Sequence, residues 1–454
     1  MLFLDFVFFE MVHTFDIDGQ YYLFDSESSS LHICDALTSE VVKKINGEKF
    51  NLDGVDESAV KEIEEEILSL KKDGLLFTER KNEVPIKSNL VKALCLHVCH
   101  DCNLSCEYCF AGKGKYKGKA EYMSLEVAKK AVDFLIENSG NRKILEMDFF
   151  GGEPLLNFDV IKSTVEYANK RAKEKGKTFL FTTTTNGVLL KGEMAKWLND
   201  NMENVVLSVD GRKCVHDGVR KTVNGKGSYE VIIDNIKNFV EERKDKNYYV
   251  RGTFTSKNLD FASDVITLAD NGLNQISLEP VVLEKSNPLY IGEDKLDNIK
   301  EEYRKLAREY LDRRRQGKKL FNFFHFNIDL EGGVCLKKRV SACGAGNEYF
   351  SVTPNGDIFP CHQFADKIEF KMGNVFEGKL NENIRNIFKN SSLYTKPTCE
   401  NCFAKYHCSG GCAANNYAFN GDVNKPYEIT CSMMKSRMEC ALHIYSQKKE
   451  EKLN

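Results

Sequence analysis

Four cysteines within fourteen residues, Cys399-x2-Cys402-x5-Cys408-x3-Cys412, constrain this chain more than any other feature it carries. At this cysteine content such a run arises by chance on the order of once in a thousand sequences. Close-spaced thiols either pair as disulfides or bind metal, and the redox compartment decides which. The segment Met1 to Glu10 is apolar, but no basic residue precedes it and no small-residue cleavage site follows it. It reads as an upstream start ahead of Met11 rather than as a signal peptide. Sixteen cysteines in 454 residues, without a secretory signal, point to a reducing, cytoplasmic setting in which thiols are free to hold metal.

Composition narrows the partners. Sixty-four Lys and Arg stand against 67 Asp and Glu, a net charge of -3. A nucleic-acid binder would show a basic excess, so no nucleic acid is expected. No apolar run reaches the ~18 residues of a membrane span, so no membrane partner is expected either. Hydrophobic residues make up 42% of the chain, enough for a large core, and eight Pro exclude a Pro-rich linker protein.

The expected fold class is α/β, in three parts. Residues 11–85 read as a separate winged-helix-like unit. Phe15 to Phe24 and Leu31 to Leu37 supply short strands, Ser58 to Lys72 has helical apolar spacing, and Leu75 to Phe77 reads as a closing strand. Glu79 to Ser88, with Pro85, reads as a linker. Residues 91–316 alternate strand and helix. Strands are expected at 93–98, 144–150, 178–185, 205–209, 248–255 and 275–281. Helices are expected to start near Ser124, Asn157, Gly192, Ser228 and Asp260. Six such units predict a parallel sheet wrapped into a partial (β/α)6 barrel, with its active site at the strand C-termini. Asp294 to Gln316 reads as a solvated charged helix. Residues 321–445 form a Cys-rich region of short elements.

Two triples share one spacing: Cys95, Cys99 and Cys102, then Cys102, Cys106 and Cys109. The second falls in the loop after the first barrel strand. It can wrap three irons of a cubane cluster and leave the fourth open. Cys95 and Cys99 lie in the strand, where a free Cys packs as a small hydrophobe. At the next strand end comes Gly151-Gly152-Glu153-Pro154, then Thr184-Thr185-Asn186-Gly187, Ser208-Val209-Asp210-Gly211, His216-Asp217-x-x-Arg220 and Leu278-Glu279-Pro280. The Lys-rich segment Gly112 to Lys119 misses the phosphate-loop spacing and reads as a mobile basic flap. Zinc is the alternative tenant for Cys399 to Cys412, but it leaves the other thiols unexplained.

A Cys-x3-Cys-x-Tyr-Cys loop followed by Gly-Gly-Glu-Pro resembles the radical S-adenosylmethionine superfamily. The resemblance implies that Cys102, Cys106 and Cys109 are the catalytic cluster ligands. It further implies that Tyr108, Gly151, Gly152, Glu153, Thr184, Asn186, Ser208, Arg220 and Leu278 surround S-adenosylmethionine. Gly151, Gly152 and Glu153 would meet its amino group, Ser208 and Arg220 its carboxylate, and Leu278 its adenine. In that family a reduced cluster cleaves S-adenosylmethionine, and the resulting radical takes hydrogen from an unactivated carbon. The C-terminal pattern Cys343, Gly356-x4-Cys361, Cys399 to Cys412 and Cys431 resembles the SPASM domain. By that resemblance Cys343, Cys361 and Cys412 would hold one auxiliary cluster. Cys399, Cys402, Cys408 and Cys431 would hold another, and Cys335, with seven residues between it and Cys343, could close the first. The implied cofactors are three 4Fe–4S clusters and S-adenosylmethionine.

The whole resembles the maturases of six-cysteine (SCIFF) peptides, which form thioether crosslinks. The implied partners are a Cys-rich precursor peptide, whose leader adds as a strand to the N-terminal unit, and a one-electron reductant of flavodoxin or ferredoxin type. Anaerobic sulfatase maturases are the nearest alternative, but they place Asp where this chain has His362 and lack the N-terminal unit. An Fe–S redox-sensing DNA-binding regulator is a third reading. It gives the Gly-Gly-Glu-Pro motif no purpose, and Asp53 to Glu66 is too acidic for DNA.

Overall fold

The computed structural model describes residues 12–80, 87–331 and 335–453. The expectation for residues 1–10, and most of the expected linker with Pro85, lie outside them.

The chain opens with a three-stranded antiparallel sheet, β1 (His13–Ile17), β2 (Gln20–Asp25) and β3 (Ser30–Cys34), in that spatial order. Helices α1 (Ala36–Ile45) and α2 (Glu57–Lys72) follow, N-capped by Asp35 and Asp56, whose carboxylates accept from Thr38 and Ser58 N–H. The expected closing strand at Leu75 to Phe77 does not form. These residues make a bend in which Phe77 takes a left-handed φ of 49°. Leu76 and Phe77 nonetheless fill the core between sheet and helices. Nor does this unit stand apart, because Phe15, Ile17, Tyr22 and Phe24 on the sheet's other face belong to the main core of the molecule.

The central part runs β4 (Ala93–Cys99), α3 (Leu125–Asn138), β5 (Ile144–Gly151), α4 (Phe158–Lys175), β6 (Thr178–Thr185), α5 (Gly192–Asn201), β7 (Asn204–Ser208), α6 (Lys213–Val219), α7 (Tyr229–Arg243), β8 (Asn247–Phe254), α8 (Phe261–Asp270), β9 (Gln275–Pro280) and α9 (Leu296–Arg315). Strands β4 to β9 are parallel neighbours in sequence order, which is a partial (β/α)6 barrel. Burial alternates along the strands. Leu145, Met147 and Phe149 of β5, and Phe179, Phe181 and Thr183 of β6, face the helices, while Phe150 and Thr184 face inward. This period of two selects which strand-end side chains can reach a ligand.

The C-terminal part contains β10 (Asn322–Phe323), α10 (Leu336–Arg339), β11 (Tyr349–Val352), β12 (Asp357–Phe359), β13 (Gly373–Asn374), α11 (Glu382–Lys389), α12 (Pro397–Glu400), α13 (Lys405–Cys408), α14 (Ala413–Asn420) and α15 (Glu428–Leu453). It extends the barrel sheet at both edges: β10 pairs with β9 and β11 with β4, both parallel. Helix α9, expected to be solvated, buries Ile299, Tyr303, Leu306, Ala307 and Leu311 and packs against α15. Most of its charges occupy the outer face, while Arg313 is buried and pairs with Asp270 and Glu309.

Candidate active site

Cys95 and Cys99 lie on the fully buried strand β4, and burial raises both thiols. The loop beyond carries Cys102, Cys106 and Cys109. It is stitched to the segment around Arg220, with Ser105 N–H donating to the Lys221 carbonyl at 2.7 Å and Glu107 N–H to that of Val219 at 2.9 Å. On its other side it meets the end of β5. Gly152 N–H donates to the Cys99 carbonyl at 3.0 Å, and Glu153 N–H to that of Asp101 at 2.8 Å. A Cβ on Gly152 would sit 2.0 Å from the Asp101 oxygen, and one on Gly151 2.1 Å from the Cys99 oxygen. The two glycines are therefore required for the strand end to press against the cysteine loop. The Lys-rich segment is no free flap: Tyr116 is buried and stacks on His100, and Gly114 packs on Cys102.

Glu153 is buried and ties two strand ends together. Its Oε1 accepts from Thr185 Oγ1 at 2.8 Å and Leu155 N–H at 3.2 Å, and its Oε2 from Asn186 N–H at 2.8 Å. Burial outweighs these bonds and lifts its pKa to about 7. Asn186 reaches on to Asn103 at 2.7 Å, beside Cys102. Asp210, with no solvent exposure, accepts from Tyr108 Oη at 2.6 Å, Arg220 Nε at 2.9 Å and Thr253 N–H at 2.9 Å. Arg220 is thus held in place through its Nε, and it lines the cavity described next. His216 is buried between Ser228 and the Asp210 N–H and has a structural role.

Tyr108, Gly151, Gly152, Glu153, Thr184, Asn186, Ser208 and Arg220 all line one cavity of about 1040 Å³. Leu278 does not. It sits on the helix-facing side of β9 with no exposure, whereas its neighbours Glu279 and Pro280 line the cavity. The expected adenine contact therefore fails on strand parity. That parity also brings in residues the motifs did not point to. Arg251, the register neighbour of Ser208, faces the cavity. Beside it Arg437 of α15 donates to Glu279 at 3.1 Å and to His325 at 3.0 Å. His362 lies between Phe150 and Phe110, its pKa lowered to about 4 by burial.

The cysteines sort into three sets by mutual charge repulsion. Cys102 is raised to about 12 by burial, then by Glu153, and then by Cys106 and Cys109. Cys361 is raised by burial and then by Cys412 and Cys343. Cys431 is raised to about 12 by burial and then by Cys408, Cys399 and Cys402. Cys335 is exposed at the N-terminus of α10. Buried thiols that penalise one another's ionisation are relieved by a shared cationic centre, which suits an iron–sulfur cluster in each set. Among the described residues no three His, Cys, Asp or Glu side chains converge as tightly as a single metal ion requires. Cys343, Cys408, Cys412 and Cys431 line the same cavity as Cys102, Cys106 and Cys109.

Comparison with known proteins identifies two domain families along the chain. The radical SAM superfamily model matches residues 96–255, and a SPASM iron–sulfur cluster-binding domain model matches residues 343–408. The chain is 25% identical over 340 residues to the radical SAM cyclopropyl synthase TigE of Paramaledivibacter caminithermalis, covering 71% of this chain and 68% of TigE. It is 26% identical over 359 residues to a cysteine-type anaerobic sulfatase-maturating enzyme of Clostridium novyi, covering 75% and 92%. The structure of Streptococcus suis SuiB bound to S-adenosylmethionine shares the fold, with a TM-score of 0.54 and 17% identity over 92% of this chain and 98% of SuiB. SuiB has also been solved bound to its precursor peptide SuiA.

Proposed function

This chain belongs to the radical S-adenosylmethionine superfamily and carries a SPASM iron–sulfur domain, and from that premise we propose that it installs thioether crosslinks, Cys sulfur to carbon, in a ribosomally made Cys-rich precursor peptide. The observation that carries this reading is one shared cavity, lined by Cys102, Cys106 and Cys109 and also by Cys343, Cys408, Cys412 and Cys431.

Cys102, Cys106 and Cys109 would hold the catalytic cluster. Cys343, Cys361 and Cys412 would hold a second, with Cys335 as its displaceable fourth ligand, and Cys399, Cys402, Cys408 and Cys431 a third. The first cluster and S-adenosylmethionine, when bound, supply a hydrogen-atom acceptor strong enough for an unactivated C–H bond. The protein's own residues position and shield. Asp210 and Tyr108 fix Arg220 for the methionine carboxylate beside Ser208. Glu153 rigidifies the ends of β5 and β6 around the amino-group site. Each crosslink removes one hydrogen from sulfur as a proton and one from carbon as an atom, and releases one further electron as the S–C bond forms, which an auxiliary centre would accept.

The N-terminal sheet has a role in recognition. Strand β3 is one edge of that sheet, and Ile33 on β3 and Leu68 on α2 are exposed apolar side chains of the same unit. An extended leader can add to that edge through main-chain hydrogen bonds and cover both. The electron donor is a flavodoxin- or ferredoxin-type carrier.

The test is anaerobic turnover of the reconstituted enzyme with S-adenosylmethionine, dithionite and synthetic leader-bearing Cys-rich peptides. The expected product is about 2 Da lighter per crosslink and has lost one alkylatable thiol for each. The similarity to sulfatase-maturating enzymes favours a second reading, oxidation of a single Cys or Ser side chain. Fragmentation decides: sulfur bonded to a second residue supports the maturase, and an oxidised uncrosslinked side chain overturns it.

A further inference from the structure

Lys396 is a charge that the proposed chemistry leaves unexplained. Its side chain is buried, with the residue 3% exposed. Its Nζ donates to the Gly410 carbonyl at 2.7 Å, its only hydrogen bond among the described residues. The lysine is fixed at the N-terminus of α12, where its own carbonyl accepts from Cys399 N–H at 2.8 Å. Gly410 lies between Cys408 and Cys412, and a Cβ there would come within 2.9 Å of Nζ. The backbone at Gly410 has a φ of +86°, which favours glycine, and the ammonium lies against this turn.

A buried ammonium is costly unless an anion compensates it. No carboxylate of the described residues forms an ion pair with Lys396. Burial pushes its pKa down, and Cys399, Cys408, Cys412 and Cys431, which come from both auxiliary sets, act in the opposite sense. The Gly410 carbonyl offers the ammonium a dipole but no anionic partner. Thiolates holding a cluster would supply one.

We propose that Lys396 is a positioning charge set between the two auxiliary iron–sulfur centres, raising the potential at which the centre of Cys399, Cys402, Cys408 and Cys431 accepts an electron. This rests on the reading that those cysteines hold a cluster. A cluster bound by four thiolates is already anionic and gains one further negative charge on reduction. A buried cation beside it stabilises the reduced form more than the oxidised form, and low dielectric magnifies the difference. Without Lys396 the centre would accept an electron less readily from substrate or from the external carrier.

The experiment is an EPR-monitored redox titration of the reconstituted full-length protein, with dithionite as the one-electron donor. Auxiliary signals are those unmoved by added S-adenosylmethionine. In Lys396→Met the reduced fraction of one auxiliary centre at a fixed potential should fall about tenfold, a shift of about 59 mV. Lys396→Arg, which keeps the charge, should stay within about twofold of the parent. If Lys396→Met and Lys396→Gln instead lose about four irons while Lys396→Arg keeps them, the charge is still what the site requires. An unmoved potential in Lys396→Met overturns the proposal, as does an equal effect in Lys396→Arg. A parent protein with only one cluster would remove the underlying assignment, and the proposal with it.

Discussion

Tyr406 donates its hydroxyl to the Glu27 carboxylate at 2.8 Å, joining the turn after β2 to the helix that ends in Cys408. Lys405 meets the other Glu27 oxygen at 2.5 Å, and both side chains are 7% exposed. Beside them His13 stacks on Phe403 with ring centroids 3.5 Å apart. The N-terminal unit therefore clamps the segment that carries Cys402 and Cys408.

The first prediction is that Glu27→Gln destabilises the protein by about 3 kcal/mol, because it strands a buried ammonium. Adding Lys405→Met should restore much of the loss. Anaerobic urea unfolding measures both, and a single-variant change below about 1 kcal/mol would mean that the pair is not desolvated as described.

Gly152→Ala should loosen the contact between the end of β5 and the cysteine loop, since its Cβ has no room beside the Asp101 oxygen. Overpacking of this kind costs about 1–3 kcal/mol locally. S-adenosylmethionine affinity should drop about tenfold or more, with auxiliary-cluster spectra unchanged. Gly218→Ala, which meets nothing within 4 Å, is the control and should bind normally.

Iron content should follow the spatial sets rather than the order in sequence. Removing Cys412 should cost the same cluster signal as removing Cys361, and removing Cys431 the same signal as removing Cys399. Each loss is about four irons. Mössbauer spectra of the four single Ala variants check this. A Cys412 variant that matches Cys399 instead would refute the interleaving.

Asp148, on β5, has its pKa raised to about 7 by burial, and next by Glu146. The folded chain therefore keeps a proton that the unfolded chain releases near pH 4. This contribution to stability is full below that pH and is lost as pH rises through about 7, on the order of 4 kcal/mol in total. Asp148→Asn should flatten the pH dependence of urea unfolding between pH 4 and 7. An unchanged slope would show that Asp148 titrates like a solvated acid.

Leaders should bind less well to Ile33→Asp, because a charge now sits at the free edge of β3. Uncoupled S-adenosylmethionine cleavage should persist, since its residues lie elsewhere. Fluorescence anisotropy of a labelled leader reads the first and liquid chromatography the second. Undiminished leader binding would move the recognition site away from β3.

Much of this architecture is written locally. Alternating apolar residues set the six parallel strands, and Ser124 stands as the cap of α3 where its hydroxyl accepts the Val127 N–H. The loop spacing of Cys102, Cys106 and Cys109 is short enough that almost any loop conformation keeps the thiols together. Leu278 shows where a motif misleads: Leu278-Glu279-Pro280 names the right strand end, and the alternation of side chains assigns the cavity to Glu279 instead.

By itself the sequence determined what depends on neighbours along the chain: the strand–helix units, the close-spaced cysteine loops and the glycines that let them pack. The tertiary structure decided what depends on distant segments meeting. It brought Cys343 and Cys361 to Cys412, placed Arg437 of α15 against Glu279 at the end of β9, and buried Glu27 against Lys405 and Tyr406. It also turned Lys396 from one of many lysines into a buried charge facing thiols. Local spacing cannot carry such pairings, because bringing distant segments together is decided by which apolar faces bury one another across the whole core.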